Sequence, residues 1–330
     1  MHLQKNIRGV ILAEMRKGDR YLGENDEPEQ IYRNYADLVL PYLGWPMWPP
    51  KEVPDLKEWY KNPINVIPRY PHMPQACFIG LDGTPHAGKT TLADSLAEKY
   101  VQSPNHALQI INPDNLYVQG EGGIMHVAIN QIFPELEDEM PVLMEKNDWY
   151  TNLWHQFNKQ LFWENRIQDL IRSAEINKTS LILGQRSPID QTVFSYSLVT
   201  HTIDPDFPDF AIPNDFRQLA EDSYLERIIG SQALVQFMDA VILIGTDQDV
   251  AQTRRKEMGR TSKGIADSTF YNDLSSWYGY WIEKVWPNLY ELHGTGLLIL
   301  DGSKPIDKNI NIISSYIDEV KKRCLPDITR

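Results

Sequence analysis

Gly83-Thr84-Pro85-His86-Ala87-Gly88-Lys89-Thr90-Thr91 has the spacing G-x-x-x-x-G-K-[ST]. The residue types suit an anion with several oxygens. Glycines near both ends let backbone N–H groups turn inward around such a group. The Lys89 ammonium can reach the outer phosphates of a nucleotide, and the Thr90 hydroxyl can ligate Mg²⁺. The flanks agree. Ala76–Leu81 reads as a short buried strand entering the run, and Thr91–Tyr100 as a helix leaving it. Strand, loop and helix in that order aim the positive end of a helix dipole at the same anion.

From Gln75 onward, short apolar runs alternate with helical patterns, the signature of a parallel α/β sheet. Five strands are expected: Ala76–Leu81, Ala107–Ile111, Ser180–Leu183, Ala240–Ile244 and Leu297–Leu300. A long helix is expected from Trp149 to Ile176, with Leu153, Phe157, Leu161, Leu170 and Ile171 on or near one face. Another helical stretch is expected around 215–237, after the loop at Asp204–Asp209. Residues 1–75 differ. Helical patterns near 4–16 and 27–40 are followed by Trp45-Pro46-Met47-Trp48-Pro49-Pro50 and scattered prolines up to Pro74. Prolines exclude a regular helix or central strand there. The aromatic content argues for an extended segment docked on the main domain by Trp45, Trp48, Trp59 and Tyr60. The organisation is thus an N-terminal extension, 1–75, and an α/β domain, 76–330.

Composition bounds the function. The chain has 330 residues, 42% hydrophobic and 23% charged, ordinary for a globular protein with a real core. Its formal net charge of −13 repels nucleic acid and anionic lipid unless a local basic patch intervenes. No apolar stretch approaches the ~20 residues that span a bilayer. The two cysteines, Cys77 and Cys324, form no metal or disulfide pattern. They are expected as one core and one surface thiol, in a reduced, cytoplasmic setting.

Further candidates sit where strands end. In Asn112-Pro113-Asp114-Asn115, Asp114 can take the proton of an attacking hydroxyl, or simply cap a helix. In Gln185-Arg186-Ser187, Arg186 can hold a transferring phosphoryl group, or pair with Asp190 at the surface. Thr246-Asp247 reads as a helix start, with one of the two as cap. The segment 254–264 carries Arg254, Arg255, Lys256, Arg260 and Lys263. It suits a lid over phosphates, or a helix C-terminus that favours cations. The aromatics from Trp149 to Trp163, Trp154 among them, precede Arg166 and could stack a base or form core. Leu274, Trp277, Tyr278, Trp281 and Val285 fall at helical spacing and read as core.

Together these pieces resemble the P-loop nucleoside and nucleotide kinases, especially the thymidylate kinase and deoxynucleoside kinase group. Gly80-Leu81-Asp82-Gly83 leading into Gly88-Lys89-Thr90-Thr91 is similar to their phosphate loop. Leu161–Gln168 resembles the thymidylate kinase helix whose arginine contacts the acceptor, and Gln185-Arg186-Ser187 resembles the Glu-Arg-Ser of deoxynucleoside kinases. Asp247 through Arg260 looks like their lid helix, and Leu300–Ile306 like their final strand and adenine-side turn. The resemblance implies a three-layer core with a parallel five-stranded sheet. It implies phosphoryl transfer from ATP with Mg²⁺ to a small acceptor, a nucleoside or nucleotide. Gly83 to Thr91 would hold ATP, with Thr90 on the metal. Lys89, Asp114 and Arg186 would be catalytic, Arg254, Arg255 and Arg260 would form the lid, and Trp154 and Arg166 would bind the acceptor.

Two departures stand out. Gln185 replaces the family's carboxylate, which leaves the metal to Thr90, phosphates and water, with Asp82 and Asp114 as candidates for another acid. Residues 1–75 have no counterpart in a minimal kinase of this group, and could complete the acceptor pocket, mediate homodimer formation or cover the sheet. Two other functions stay open. One is a non-catalytic ATP-binding regulator. The other is a kinase of a different small molecule or of a nucleic-acid end, which the acidic charge disfavours.

Overall fold

The computed structural model describes residues 40–46, 55–72, 76–101, 108–111, 181–185, 187–203, 228, 231–232, 235, 237–259 and 270–325. Among these residues six strands form one sheet: β1 (Asn65–Val66), β2 (Cys77–Gly83), β3 (Leu108–Ile111), β4 (Leu181–Gln185), β5 (Ala240–Gly245) and β6 (Gly296–Asp301), in the order β1-β6-β5-β2-β4-β3. The helices are α1 (Lys89–Val101), α2 (Pro188–Ile203), α3 (Gln248–Glu257), α4 (Phe270–Tyr280), α5 (Trp286–His293) and α6 (Ile306–Cys324). A five-residue π turn, Trp281–Val285, joins α4 to α5.

All five strands read from the sequence are present and mutually parallel. The sheet itself is not the purely parallel five-stranded one expected. A sixth strand from the N-terminal segment, β1, runs antiparallel against β6, with Asn65 opposite Leu298 and Val66 opposite Leu297. The physical reason is the open edge of β6, whose N–H and C=O groups need partners. The Ile299 N–H donates to the Ile64 carbonyl at 2.9 Å, and the Tyr316 hydroxyl to the Val66 carbonyl at 2.9 Å. Pro63 and Pro68 bracket the strand and keep it short.

Strand alternation sorts the core into two layers of side chains. On one face, Cys77, Ile79 and Leu81 of β2 and Ala240, Ile242 and Ile244 of β5 meet α1 and α6. On the other, Phe78 of β2 and Val241 and Leu243 of β5 meet α2 and α4. The expected core set Leu274, Trp277, Tyr278, Trp281 and Val285 is buried there. Cys324 corrects the expectation of a surface thiol. It is buried, as Cys77 is, because it continues the stripe Ile313, Ile317, Val320 that α6 turns inward.

The N-terminal segment is packed into this second layer. Trp45 stacks on Tyr196 with ring centroids 4.5 Å apart and lies beside Trp277 and Tyr280. Trp59 and Tyr60, in a 3₁₀ turn at Trp59–Lys61, are buried over the end of β5. A Cβ on Gly245 would fall 2.5 Å from the Tyr60 ring. Trp48, the helices expected near 4–16 and 27–40 and the helix Trp149–Ile176 lie outside the described residues, as does most of 215–237. Among the described residues no helix is long and apolar enough to cross a membrane.

β2 connects through α1 toward β3 on one side, while β5 connects toward β6 on the other. Neighbouring strands that lead away in opposite directions leave a crevice at their carboxyl ends. The glycine-rich loop follows β2 directly into that crevice.

Docking of the N-terminal segment has a measurable consequence. A Cβ on Gly279 of α4 would meet the Leu56 carbonyl oxygen at 2.4 Å. Gly279→Val is expected to lower unfolding stability by ~1–3 kcal/mol through overpacking, read as a reduced urea midpoint. An unchanged midpoint would mean that residues 55–60 do not press on α4.

Candidate functional site

The loop geometry comes first from its glycines. Gly83 has φ 125° and Gly88 φ 97°, and His86 between them has φ 57°. These are left-handed conformations, which glycine adopts freely and His86 only under constraint. Left-handed residues interspersed in a turn bring successive N–H groups toward one concavity. The loop is tied to β5: the Thr84 N–H donates to the Ile244 carbonyl at 3.1 Å, and the Thr84 hydroxyl accepts the Thr246 N–H at 3.2 Å. The Leu92 N–H then closes on the Gly88 carbonyl at 3.0 Å as α1 begins.

Lys89 is the first residue of α1 and is buried. Its ammonium bends back over the loop and donates to the carbonyls of Gly83 at 2.9 Å and Thr84 at 2.7 Å. A cation is thereby held at the mouth of the turn, beside a helix N-terminus. Thr90 is exposed, and its hydroxyl donates to the Gln185 carbonyl oxygen Oε1 at 3.4 Å, while Gln185 itself is buried. Two neutral, hard oxygens therefore face each other next to the loop, a donor set that fits Mg²⁺ together with phosphate oxygens and water.

Arg254 on α3 closes the other side. Its guanidinium donates to the His86 carbonyl at 3.3 Å and the Gly302 carbonyl at 2.7 Å, joining loop to the turn after β6. Arg255, one position on, is buried instead. The helix ends at Glu257, and Gly259 just beyond it has φ 73° and its N–H on the Lys256 carbonyl at 2.9 Å. Asp247 occupies the N-cap position of α3, but its side chain makes no capping bond. Its carboxylate instead accepts the Tyr60 hydroxyl, which the N-terminal segment brings across. That carboxylate, after burial, helps push the Tyr60 phenol well above its ordinary range. Tyr271 of α4 donates to the Thr246 carbonyl at 2.8 Å and completes this wall.

Beneath the loop, Asp82, a candidate metal acid in the sequence reading, makes a bond that the sequence had not indicated. Asp82, the last residue before Gly83, is completely buried. Its Oδ1 accepts the Ser187 N–H at 2.7 Å, and its Oδ2 accepts the Ser187 hydroxyl. With both oxygens engaged there, Asp82 is turned to Ser187 and not presented as a metal carboxylate. Asp190 is also buried, not at the surface, and accepts the Tyr278 hydroxyl. Burial, followed by the Asp190 carboxylate, pushes Asp82 up to about 8, against the Ser187 hydrogen bonds and the Lys89 charge, which lower it. Two signals were available: a charged residue ending an apolar strand run, and Ser-Pro as an N-cap followed by N1.

The structure thus brings Gly83 to Thr91, Gln185 and Arg254 together. Asp114, Trp154, Arg166, Arg186 and Arg260 lie outside the described residues. Among the described residues no group of three or more His, Cys, Asp or Glu side chains could hold a metal.

No family model matches the chain, and no curated protein matches it. Among solved structures, a deoxyadenosine kinase from M. mycoides with bound dATP is similar over 73% of this chain and 99% of its own. The sequence identity is 16% and the TM-score 0.42. At that level the likeness supports no argument, and the fold rests on the strand order and loop described above.

The Asp82 proton makes stability depend on pH. Unfolded, Asp82 releases its proton near 3.8; folded, it keeps it to about 8. The native state therefore binds more protons across that window, and stability falls as pH rises through it. Between about pH 5.5 and about pH 8.5 the urea midpoint is expected to drop more in wild type than in Asp82→Asn, which cannot ionise. The same drop in both proteins would show that Asp82 titrates as an ordinary carboxylate.

Proposed function

We propose that the chain is an ATP-dependent phosphotransferase acting on a small acceptor, a nucleoside or nucleotide. The observation that carries the reading is the buried Lys89 ammonium folded over a loop with left-handed Gly83, His86 and Gly88, in the crevice between β2 and β5. The loop amides and the N-terminus of α1 would hold the β- and γ-phosphates of ATP. Lys89 would exchange its contacts with the Gly83 and Thr84 carbonyls for phosphate oxygens. Arg254 already stands beside Gly88, 3.8 Å from where a Cβ would lie, and would counter the charge of the phosphates from the lid side.

Thr90 and Gln185 would supply the protein oxygens around Mg²⁺, which when bound neutralises phosphate charge. Arg186, Arg255 and Arg260 would add positive charge during transfer, and Asp114 would take the proton of a hydroxyl acceptor. Trp154 and Arg166 would bind the acceptor's base and any phosphate it carries. Residues 254–264 would act as the lid over the nucleotide, and the setting would be the cytoplasm.

The test is ADP release over a panel of nucleosides, nucleoside monophosphates and other small metabolites. Lys89→Ala is expected to cut acceptor-dependent turnover at least ~10²-fold with the unfolding midpoint retained. Full turnover in that variant would sink the reading.

Gln185 favours a second reading, in which ATP binds without transfer and its state governs a partner. A neutral amide stands where the resembling enzymes carry an acid. Gln185→Glu is expected to keep or raise turnover, because it returns a charge beside the metal oxygens. A loss greater than ~10-fold at unchanged stability would show that the amide has its own role. ATP binding with no acceptor-dependent ADP release by wild type would favour the regulator.

A further inference from the structure

Asp82 is an acid where an apolar side chain would pack at less cost, since a buried carboxylate loses its hydration. What it does there can be read from its partners. The parallel ladder between β2 and β4 pairs Leu81 with Gln185 and ends at that step. Two residues later Asp82 takes up the chain again through the Ser187 N–H and hydroxyl. The Ser187 hydroxyl in turn accepts the Ile189 N–H at 3.2 Å, so one oxygen both caps α2 and is held by β2. The approach is close: a Cβ on Gly80 would lie 3.1 Å from Ser187 Cβ and Oγ. Gln185 is thus fixed from both sides, by its ladder partner and by the clamp beyond it. Its amide oxygen is the group that faces Thr90.

Resting on the reading that this loop binds Mg·ATP, we propose that Asp82 is a positioning residue. It pins Ser187, two residues beyond Gln185, to the strand that carries the loop, so that the Gln185 oxygen and the Thr90 hydroxyl stay together as one metal-facing pair. Asp82 touches neither nucleotide nor metal and acts only through Ser187 and Gln185.

The clamp is tested by binding and not by turnover. Fluorescent Mant-ATP is titrated into the full chain with EDTA and then with Mg²⁺, and the ratio of the two affinities is the gain due to metal. Asp82→Ala is expected to lose ~10-fold or more of that gain, as outer partners of metal ligands do, with metal-free affinity nearly unchanged. Asp82→Asn is expected to keep most of it, because its amide oxygen still accepts the Ser187 N–H. Should Asp82→Ala not fold, Ser187→Ala, which removes one arm of the clamp, is expected to lose part of the gain.

An undiminished gain in Asp82→Ala, or in Ser187→Ala where that stands in for it, overturns the proposal. So does an equal weakening with and without Mg²⁺, which is what a merely structural role would give. Folded wild type that binds no Mant-ATP overturns the phosphate-loop reading and the clamp with it. Wild type that binds with a metal gain but phosphorylates no acceptor overturns the kinase reading only, and the clamp is then decided by the variants.

Discussion

The base of the glycine-rich loop is pressed onto the strand beside it. A Cβ at Gly83 would fall 1.9 Å from the Ile244 carbonyl oxygen, and the residue has φ 125°. No other side chain fits that backbone without moving β2 away from β5. The contact sets where the chain turns, and the turn sets everything after it. Thr84 can then bond to Ile244 and Thr246, Lys89 can fold over the carbonyls of Gly83 and Thr84, and α1 can start at the crevice. The same closeness recurs at Gly302, where a Cβ would meet the Ala87 carbonyl at 2.6 Å. The loop is therefore wedged between β5 and the turn after β6, with Arg254 bonded to the loop at His86 and to that turn at Gly302.

The second constraint is the aromatic layer on the opposite face. Trp45, Trp59, Tyr60, Tyr196, Trp277 and Trp281 are all buried there, and together they join the N-terminal segment to α2 and α4. Large rings bury much apolar area and prefer a few contact geometries, so they hold the segment in one register. One result is that Tyr60 reaches Asp247 at the carboxyl end of β5. Another is that β1 covers the edge of β6 that would otherwise stay open. The extension is part of the sheet and of the wall beside the loop.

An acidic chain can still hold anions if its cations are placed well. The formal net charge is −13, yet Lys89 and Arg254 stand at the loop, and the backbone adds the positive end of α1. Asp82 lies below them, fully buried and bonded to Ser187. Its place is electrostatically mixed: Lys89 and the Ser187 donors favour its charge, while burial and Asp190 oppose it, and the opposition is larger.

Much of this was legible in the chain itself. Five strands were readable from apolar runs, because burial on both faces of a parallel sheet leaves little room for polar residues. The glycine-rich loop between β2 and α1 was readable from its spacing and flanks, because the required backbone turns admit few residues besides glycine. The two-residue strand Asn65–Val66 was not legible, since a pair of residues between prolines has no periodicity and exists only because β6 offers an edge. Cys324 could not be placed by its position near the end of the chain, because the burial of α6 depends on the sheet beneath it. Asp247 had a capping residue's sequence context, but tertiary structure set a tyrosine from nearly two hundred positions away against it. The bond from Asp82 to Ser187, over 105 residues, is of the same kind. Local sequence determined what the backbone can do at each turn; which polar side chains meet across the sheet was decided only when packing of distant segments removed water from around them.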